Sequence, residues 1–196
     1  TKIDNKHVGN FGVSGNFSFY PTKQIATGEG GIVITNNKSF YKKIKTLKAF
    51  GIDKDINNRK MQGQYDVKFL GLNYRMTDFQ AALGYFQAKI YNKNLARRKE
   101  IARRYISKLT DNINIKFCDF NNDSSYFVFQ IFCKKRDQLL RYLKNKNIGV
   151  SVHYANPLPK MTYYKNKYNL NIKHFPNAEK YGKLNISLPI YPKLKN

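Results

Sequence analysis

Strand-type and helix-type patterns succeed one another along the chain. Phe17, Phe19 and Tyr20 are strand formers and predict a strand over 15–20, which Pro21 ends because proline cannot donate to a ladder. A second strand is predicted over 31–35, after a run of glycines. From Asn37, a candidate cap, the period changes. Phe40, Ile44 and Leu47 share one helical face, while Lys42, Lys43, Lys45 and Lys48 fall elsewhere and read as a wet face. Gly51 closes that helix, and a polar segment follows to Gly71, too long for a plain connector. Thr77 and Gln80 have capping-box spacing, so a helix begins there, with Phe79, Leu83, Phe86 and Ile90 as its expected apolar stripe. A second helix is expected to turn Leu95, Ile101, Tyr105 and Leu109 inward and the Arg97-Arg98-Lys99 and Arg103-Arg104 groups toward solvent.

Beyond about Asn112 the pattern becomes α+β. Strands are predicted over 113–118, 126–133 and 150–153, with a helix over 137–147 between the last two. The run from Tyr126 to Phe132 is apolar at nearly every position and predicts a central strand. Pro176 opens a short helix, and a final strand is predicted over 184–190. The change of character places a domain boundary between 1–93 and 94–196. The fold class is α/β, with a smaller α+β domain at the C-terminal end.

Composition narrows this picture. With 196 residues, 41% of them hydrophobic, the chain can bury a core. It has no long apolar run and no charged-then-apolar leader, so neither a membrane span nor a signal peptide is indicated, and the expected compartment is the cytoplasm. Cys118 and Cys133 lack the spacing of a metal knuckle or redox pair and are expected to be buried thiols; no metal site is expected. The formal charge of +24, from 36 basic and 12 acidic residues, suggests a polyanion partner. The lysines are spread along the whole length, and no arginine-rich arm, zinc-finger spacing or RNP-type motif accompanies them. General basicity is therefore weighed ahead of a nucleic-acid-binding domain, which stays the alternative reading together with an inactive fragment.

Chemistry concentrates in Gly15-Asn16-Phe17-Ser18-Phe19-Tyr20-Pro21-Thr22-Lys23, which runs on to Gly28-Glu29-Gly30-Gly31. Lys23 should sit in a turn just past a strand end, with Ser18 five residues before it and glycine backbone just after. That is an anchor for a phosphate-bearing aldehyde: the amine bonds the aldehyde and the hydroxyl holds the phosphate. This segment resembles the cofactor-lysine segment of the DegT/StrS-type sugar aminotransferases. Two later blocks agree in order and character: Gly71-Leu72-Asn73-Tyr74-Arg75-Met76-Thr77-Asp78-Phe79-Gln80, and Phe175-Pro176-Asn177-Ala178-Glu179 leading to Ser187-Leu188-Pro189.

The resemblance implies the C-terminal part of a fold like that of aspartate aminotransferase, comprising the end of the large-domain sheet and a small domain. It implies pyridoxal 5'-phosphate (PLP) as cofactor and Lys23 as the catalytic residue. Nitrogen would pass from an amino acid, glutamate in this family, to a nucleotide-linked keto-sugar for surface polysaccharide or antibiotic synthesis. Asn73 precedes a helix N-terminus, where backbone donors and dipole favour an anion; the family's matching asparagine reaches the cofactor phosphate of the neighbouring subunit, which implies a homodimer with shared sites. Arg75 is expected to be structural. The polar segment before it reads either as a flap over an anionic sugar nucleotide or as a surface loop. His153 and Tyr154 resemble the start of the family's substrate-facing loop, although Pro159 stands where many relatives carry histidine. Met161, Tyr163, Tyr164 and Tyr168 read as core packing or as a stacking surface. The family carries a long stretch before its lysine segment, so the chain is expected to be part of a longer enzyme.

Overall fold

Short polar spacers between apolar runs make the first pairings local ones. In the computed structural model, which describes residues 1–54 and 56–195, the chain forms two units, Thr1–Asn92 and Lys93–Asn196. The first unit begins with the small hairpin β1 (Lys2–Ile3) and β2 (Lys6–His7). Next, β3 (Gly15–Ser18) pairs antiparallel with β4 (Gly31–Ile34), setting Phe17 opposite Ile32 and Asn16 opposite Val33. Helix α1 (Lys38–Leu47) follows, capped by the Asn37 side chain, which accepts the Phe40 N–H at 2.9 Å. Phe40, Ile44 and Leu47 lie on its half-buried side and the lysines outside, as the period predicts.

The long polar segment after α1 is tied at its neck. Phe50 N–H donates to Leu72 O, Leu72 N–H to Leu47 O and Tyr74 N–H to Lys48 O, at 3.1, 2.7 and 2.8 Å. Asp53 and Asp66 close the neck further out: the Asp53 N–H reaches Asp66 O at 2.9 Å, and the Asp66 N–H reaches Asp53 Oδ1 at 3.0 Å. The two strands of this neck cross at glycines because nothing larger fits. A Cβ on Gly51, whose φ is +73°, would stand 1.8 Å from Phe69 O, and one on Gly71 would stand 2.0 Å from Gly51 N. The segment is thus a closed-neck surface loop rather than a long structureless connector.

Where two helices were expected there is one, α2 (Asp78–Leu109), which no proline interrupts and which runs through Asn92 and Asn94. Its capping box forms as predicted: Gln80 N–H donates to Thr77 Oγ1 at 3.2 Å, and Thr77 N–H to Gln80 Oε1 at 3.0 Å.

The second unit holds the core. Its antiparallel sheet has the order β5 (Ile115–Lys116), β6 (Phe129–Cys133), β7 (Asn185–Leu188), which places the apolar strand in the middle. Helices α3 (Arg136–Asn145), α4 (Thr162–Tyr168) and α5 (Pro176–Leu184) complete it. Ile101 and Ala102 of α2 pack with Tyr126, Phe129, Ile131, Ile186 and Ile190, and Tyr105, Ile106 and Leu109 close against them. Several expectations are corrected here. The 150–153 stretch contributes one bridge, Ser151 to Ser187, rather than a strand. Cys133 is buried but Cys118 is exposed. Arg97 and Arg98 do not simply face water: Arg97 Nη2 donates to Leu194 O at 2.7 Å, and Arg98 Nη1 to Ile190 O at 2.8 Å, stitching the chain's last segment to α2. The residues Met161, Tyr163, Tyr164 and Tyr168 are exposed, not core.

Burial is uneven. Among the described residues, every buried hydrophobic side chain lies in the second unit, while Phe17, Ile32 and Val33 of the β3–β4 hairpin are exposed. The first unit accordingly presents apolar surface that a stable protein covers.

Ile131→Ala should cost about 2–5 kcal/mol of the second unit's stability, since it empties a fully packed position, whereas Ile113→Ala at an exposed one should stay within about 0.5 kcal/mol. Urea unfolding followed through the aromatic signal checks both.

Candidate active site

Lys23 lies where the pattern put it, in a turn beyond the end of β3. Its backbone N–H donates to Tyr20 O at 2.9 Å, and its side chain is half-buried. Ser18 ends β3 with its hydroxyl exposed, and Ser18 Oγ accepts the Tyr20 N–H at 3.2 Å. The two predicted residues are therefore chained through one residue, Tyr20, which donates to the serine and accepts from the lysine. An oxygen that accepts from backbone keeps its own proton to donate outward, which suits a phosphate oxygen.

The rest of the lysine loop has almost no regular structure, so its backbone groups need other partners. Phe19 supplies two: its N–H donates to Gly30 O and its carbonyl accepts from Thr27 N–H, both at 2.9 Å. Thr27 is buried, and its Oγ1 donates to Glu29 O at 2.7 Å. Helix α2 supplies the others. The Gln87 side-chain amide grips Ala26 from both sides: its Oε1 accepts the Ala26 N–H at 3.1 Å and its Nε2 donates to the Ala26 carbonyl. Gln80 Nε2 donates to Glu29 O at 2.8 Å, and Tyr91 OH lies 3.4 Å from Gln24 Oε1. Between them sits Gly84, where an added Cβ would crowd Thr27 Cγ2 at 3.2 Å.

Positions 80, 84, 87 and 91 form one helical stripe, and this stripe, not the apolar one, faces the loop. Phe79, Leu83 and Phe86 are exposed, Phe79 to 79%. The sequence pattern, followed by apolarity, pointed to Gln80 only as a capping residue and did not point to Gln87. The available signal was two glutamines and a glycine at helical spacing beside a segment poor in backbone partners.

Asn73 is brought to the first unit's loop neck, bridging Ala49, two residues before Arg75. Arg75 stacks its guanidinium over the Phe50 ring, 5.0 Å from the centroid, in keeping with a structural role. Phe50 itself is held at φ +64°, a conformation that a bulky residue rarely adopts.

His153 and Tyr154 belong to the second unit, and the first of them is held by more bonds. His153 N–H donates to Asn185 Oδ1 at 3.0 Å, its Nδ1 lies 2.8 Å from Ser187 Oγ, and its carbonyl accepts from Gln130 Nε2 at 2.8 Å. Gln130 Oε1 in turn accepts from the Tyr181 hydroxyl, and Asn185 Nδ2 donates to Tyr181 O at 2.8 Å. Burial pushes the Tyr181 hydroxyl above the ordinary tyrosine value, which keeps it a donor. Asn185 and Ser187 are buried polar residues paid off by these bonds. Tyr154 is exposed, with its ring edge-on to His153 at 5.3 Å.

Comparison with known proteins places this geometry. The chain matches the model of the DegT/DnrJ/EryC1/StrS aminotransferase family over residues 1–196, and it belongs to that family. It is 34% identical to the spore coat polysaccharide biosynthesis protein SpsC of Bacillus subtilis, over all of this chain and 53% of that one. It is also 34% identical to a UDP-4-amino-4,6-dideoxy-N-acetyl-beta-L-altrosamine transaminase of Campylobacter jejuni, over 96% of this chain and 50% of that one. The fold is similar to that of the putative sugar aminotransferase Spr1654 from Streptococcus pneumoniae, solved in PMP and PLP forms: against the PMP form the TM-score is 0.88 at 27% identity, covering 98% of this chain and 51% of that one. The mixed α/β fold expected for part of a PLP-dependent aminotransferase is thereby confirmed. The chain spans about half the length of the curated relatives it matches.

Gln87→Ala should release Ala26. Amide hydrogen exchange at Ala26 and Thr27 should speed up by about tenfold or more, the equivalent of one or two lost hydrogen bonds, while amides of β6 keep their protection. Equal acceleration at both places would mean that Gln87 supports the whole fold and not the loop.

Proposed function

We propose that this chain carries the cofactor lysine of a PLP-dependent aminotransferase that moves an amino group from an amino acid, glutamate by expectation, to a nucleotide-linked keto-sugar. The observation that carries this reading is Lys23 in a turn that is chained to the Ser18 hydroxyl and knitted to α2 by side-chain amides. The residues present fit the cofactor. Ser18 keeps a proton to offer a phosphate, and Gly28, at φ +82°, leaves open space within 4 Å of where a Cβ would stand.

Lys23 Nζ would bond the aldehyde carbon and, once displaced by the substrate's amine, would act as general base and acid, taking the proton from the substrate carbon beside nitrogen and returning it to the former aldehyde carbon. Ser18 Oγ would hold the phosphate through its hydroxyl proton. Bound there, PLP would supply the electron sink for the pair released when the C–H bond beside nitrogen breaks. The tied loop fixes the backbone that carries both side chains, which would reduce the ordering left to be done when substrate arrives.

Asn73, next to the start of α2, is proposed to reach the cofactor phosphate of a second subunit, which makes the protein a homodimer with shared sites. The remainder of the enzyme and that second subunit would cover the apolar surface of the first unit. His153 and Tyr154 are proposed to face the sugar, with His153 held by Asn185 and Ser187. The names of the relatives support a role in amino-sugar or surface polysaccharide synthesis. No described helix is long and apolar enough to cross a membrane.

In the full-length protein, borohydride reduction in the presence of PLP should leave a phosphopyridoxyl mass on the peptide containing Lys23, and Lys23→Ala should leave no labelled peptide. A label that lands on another lysine, or none at all in the native protein, ends this reading. Ser18→Ala should keep the label but weaken PLP affinity by about tenfold, the worth of one charge-assisted hydrogen bond.

A further inference from the structure

The sheet of the second unit has an apolar side and a polar one. Phe129 and Ile131 of β6 and Ile186 of β7 enter the core, so Gln130, Asn185 and Ser187 fall on the other side, with Gln130 directly opposite Ser187. That polar side carries the stretch from His153 to Ala155. Gly182 of α5 lets the stretch lie close, since an added Cβ there would stand 2.5 Å from Ala155 O. The backbone of His153 is held at both ends: its N–H donates to Asn185 Oδ1 and its carbonyl accepts from Gln130 Nε2. Ser187 touches only the ring, with Oγ 2.8 Å from Nδ1. The path of the chain is already fixed by the two amides, so what this last bond adds is control of the imidazole.

The direction of that bond decides what the ring can do. A neutral imidazole has one N–H and one bare nitrogen. Ser187 is only 5% exposed, and among the described residues its Oγ has no other hydrogen-bond partner. Were the proton on Nδ1, the ring would donate to Oγ and the serine's own proton would be buried without an acceptor, which is the costlier arrangement. With Nδ1 bare, the serine donates to it and both groups are satisfied. The ring proton then sits on Nε2, on the side of the imidazole away from Ser187. Among the described residues Nε2 meets no hydrogen-bond partner, and the side chain is half-buried, so that N–H is open to a ligand.

We propose that Ser187 is a positioning residue that locks His153 in its Nε2–H form, so that the ring offers substrate a neutral hydrogen-bond donor and not an acceptor. The group it takes is an acceptor oxygen of the sugar, a hydroxyl or a carbonyl. An ammonium group has only donors and finds nothing to bond there. Asn185 and Gln130 set where the ring stands, and Ser187 sets which of its nitrogens carries the proton. This deepens the proposal that His153 faces the sugar and rests on it for the identity of the partner alone; the tautomer stands on bonds made within the second unit.

Long-range nitrogen–proton correlation spectra of the full-length protein, labelled with nitrogen-15 in histidine, test the tautomer at a pH well above the ordinary imidazole value of about 6.5. The His153 signals are those lost in His153→Gln. They should show a protonated Nε2 and a bare Nδ1; a protonated Nδ1, a ring protonated at both nitrogens, or an average of the two neutral forms overturns the proposal. In Ser187→Ala the Nδ1 signal should move toward that of a protonated nitrogen, and Ser187→Thr, which keeps the hydroxyl, should restore the native pattern. An unchanged spectrum in Ser187→Ala removes the serine from its role. Thermal unfolding should show both variants folded, and the native spectrum decides the tautomer even where one is not. The partner is tested by calorimetric titration with UDP-N-acetylglucosamine against UDP, and with GDP-mannose against GDP. The affinity added by the sugar should fall about fivefold in Ser187→Ala, the worth of one hydrogen bond, and return to within about twofold of native in Ser187→Thr. No gain from either sugar, or a gain that Ser187→Ala leaves untouched, overturns the sugar contact. Neither measurement needs Lys23 or bound cofactor, so a failed lysine label and a failed tautomer are read separately.

Discussion

One side-chain amide that serves one backbone residue from both sides holds the lysine loop in place. Gln87 gives Ala26 an acceptor and a donor, as a neighbouring strand would, in a stretch with no strand beside it. Gln80 does half as much for Glu29. A loop built from Pro21, Gly28, Gly30 and Gly31 has little side-chain packing to fix it, so its shape depends on where its N–H and C=O groups find partners. The helix that provides them is itself started by the Thr77–Gln80 box, which makes Gln80 both a capping residue and a clamp. A single helix face therefore sets the position of the residue on which the proposed chemistry rests.

The second constraint is steric. The chain crosses itself where Gly51 meets the Phe69–Gly71 backbone, and no side chain can stand at either glycine. This crossing closes the loop neck and delivers Asn73 and Arg75 toward the start of α2. Phe50, at φ +64°, accepts an unfavourable backbone conformation so that its neighbour can make the crossing. Its ring is then used by Arg75. Local strain and the orientation of a cation have the same origin here.

Much of this was legible from residue order. The strands around Lys23, the Asn37 cap, the capping box and the central position of β6 all follow from local chemistry, and local chemistry is what a sequence shows most directly. The failures share a cause as well. The stripe Phe79, Leu83, Phe86 looked like an inner face, because in a self-contained protein apolar residues at helical spacing are buried; here the buried hydrophobic side chains among the described residues all lie in the second unit. Arg97 and Arg98 looked like solvent charge, but the carbonyls of Ile190 and Leu194 lie far along the chain, and only tertiary structure brings them near. Cys118 sits among strand formers, yet the strand ends before it at Lys116. Of the proposed site, the lysine, the serine and the asparagine were readable as chemistry, whereas the glutamines that position the lysine were not, because amides on a helix carry no signal until their partner is known.

The confinement of the buried apolar side chains to the second unit bears on how the chain acquires its shape during synthesis. Residues 1–92 leave the ribosome before residues 93–196, yet among the described residues the packed apolar core is made by the later ones. Maturation would then run against the direction of translation: the later half condenses on its own contacts, while the earlier half waits for surfaces to lie against. Through that interval the phenylalanines of the β3–β4 hairpin and of α2 stay accessible to chaperones and to other nascent chains. Supply of the covering partner, rather than intrinsic folding speed, would set the yield of active protein.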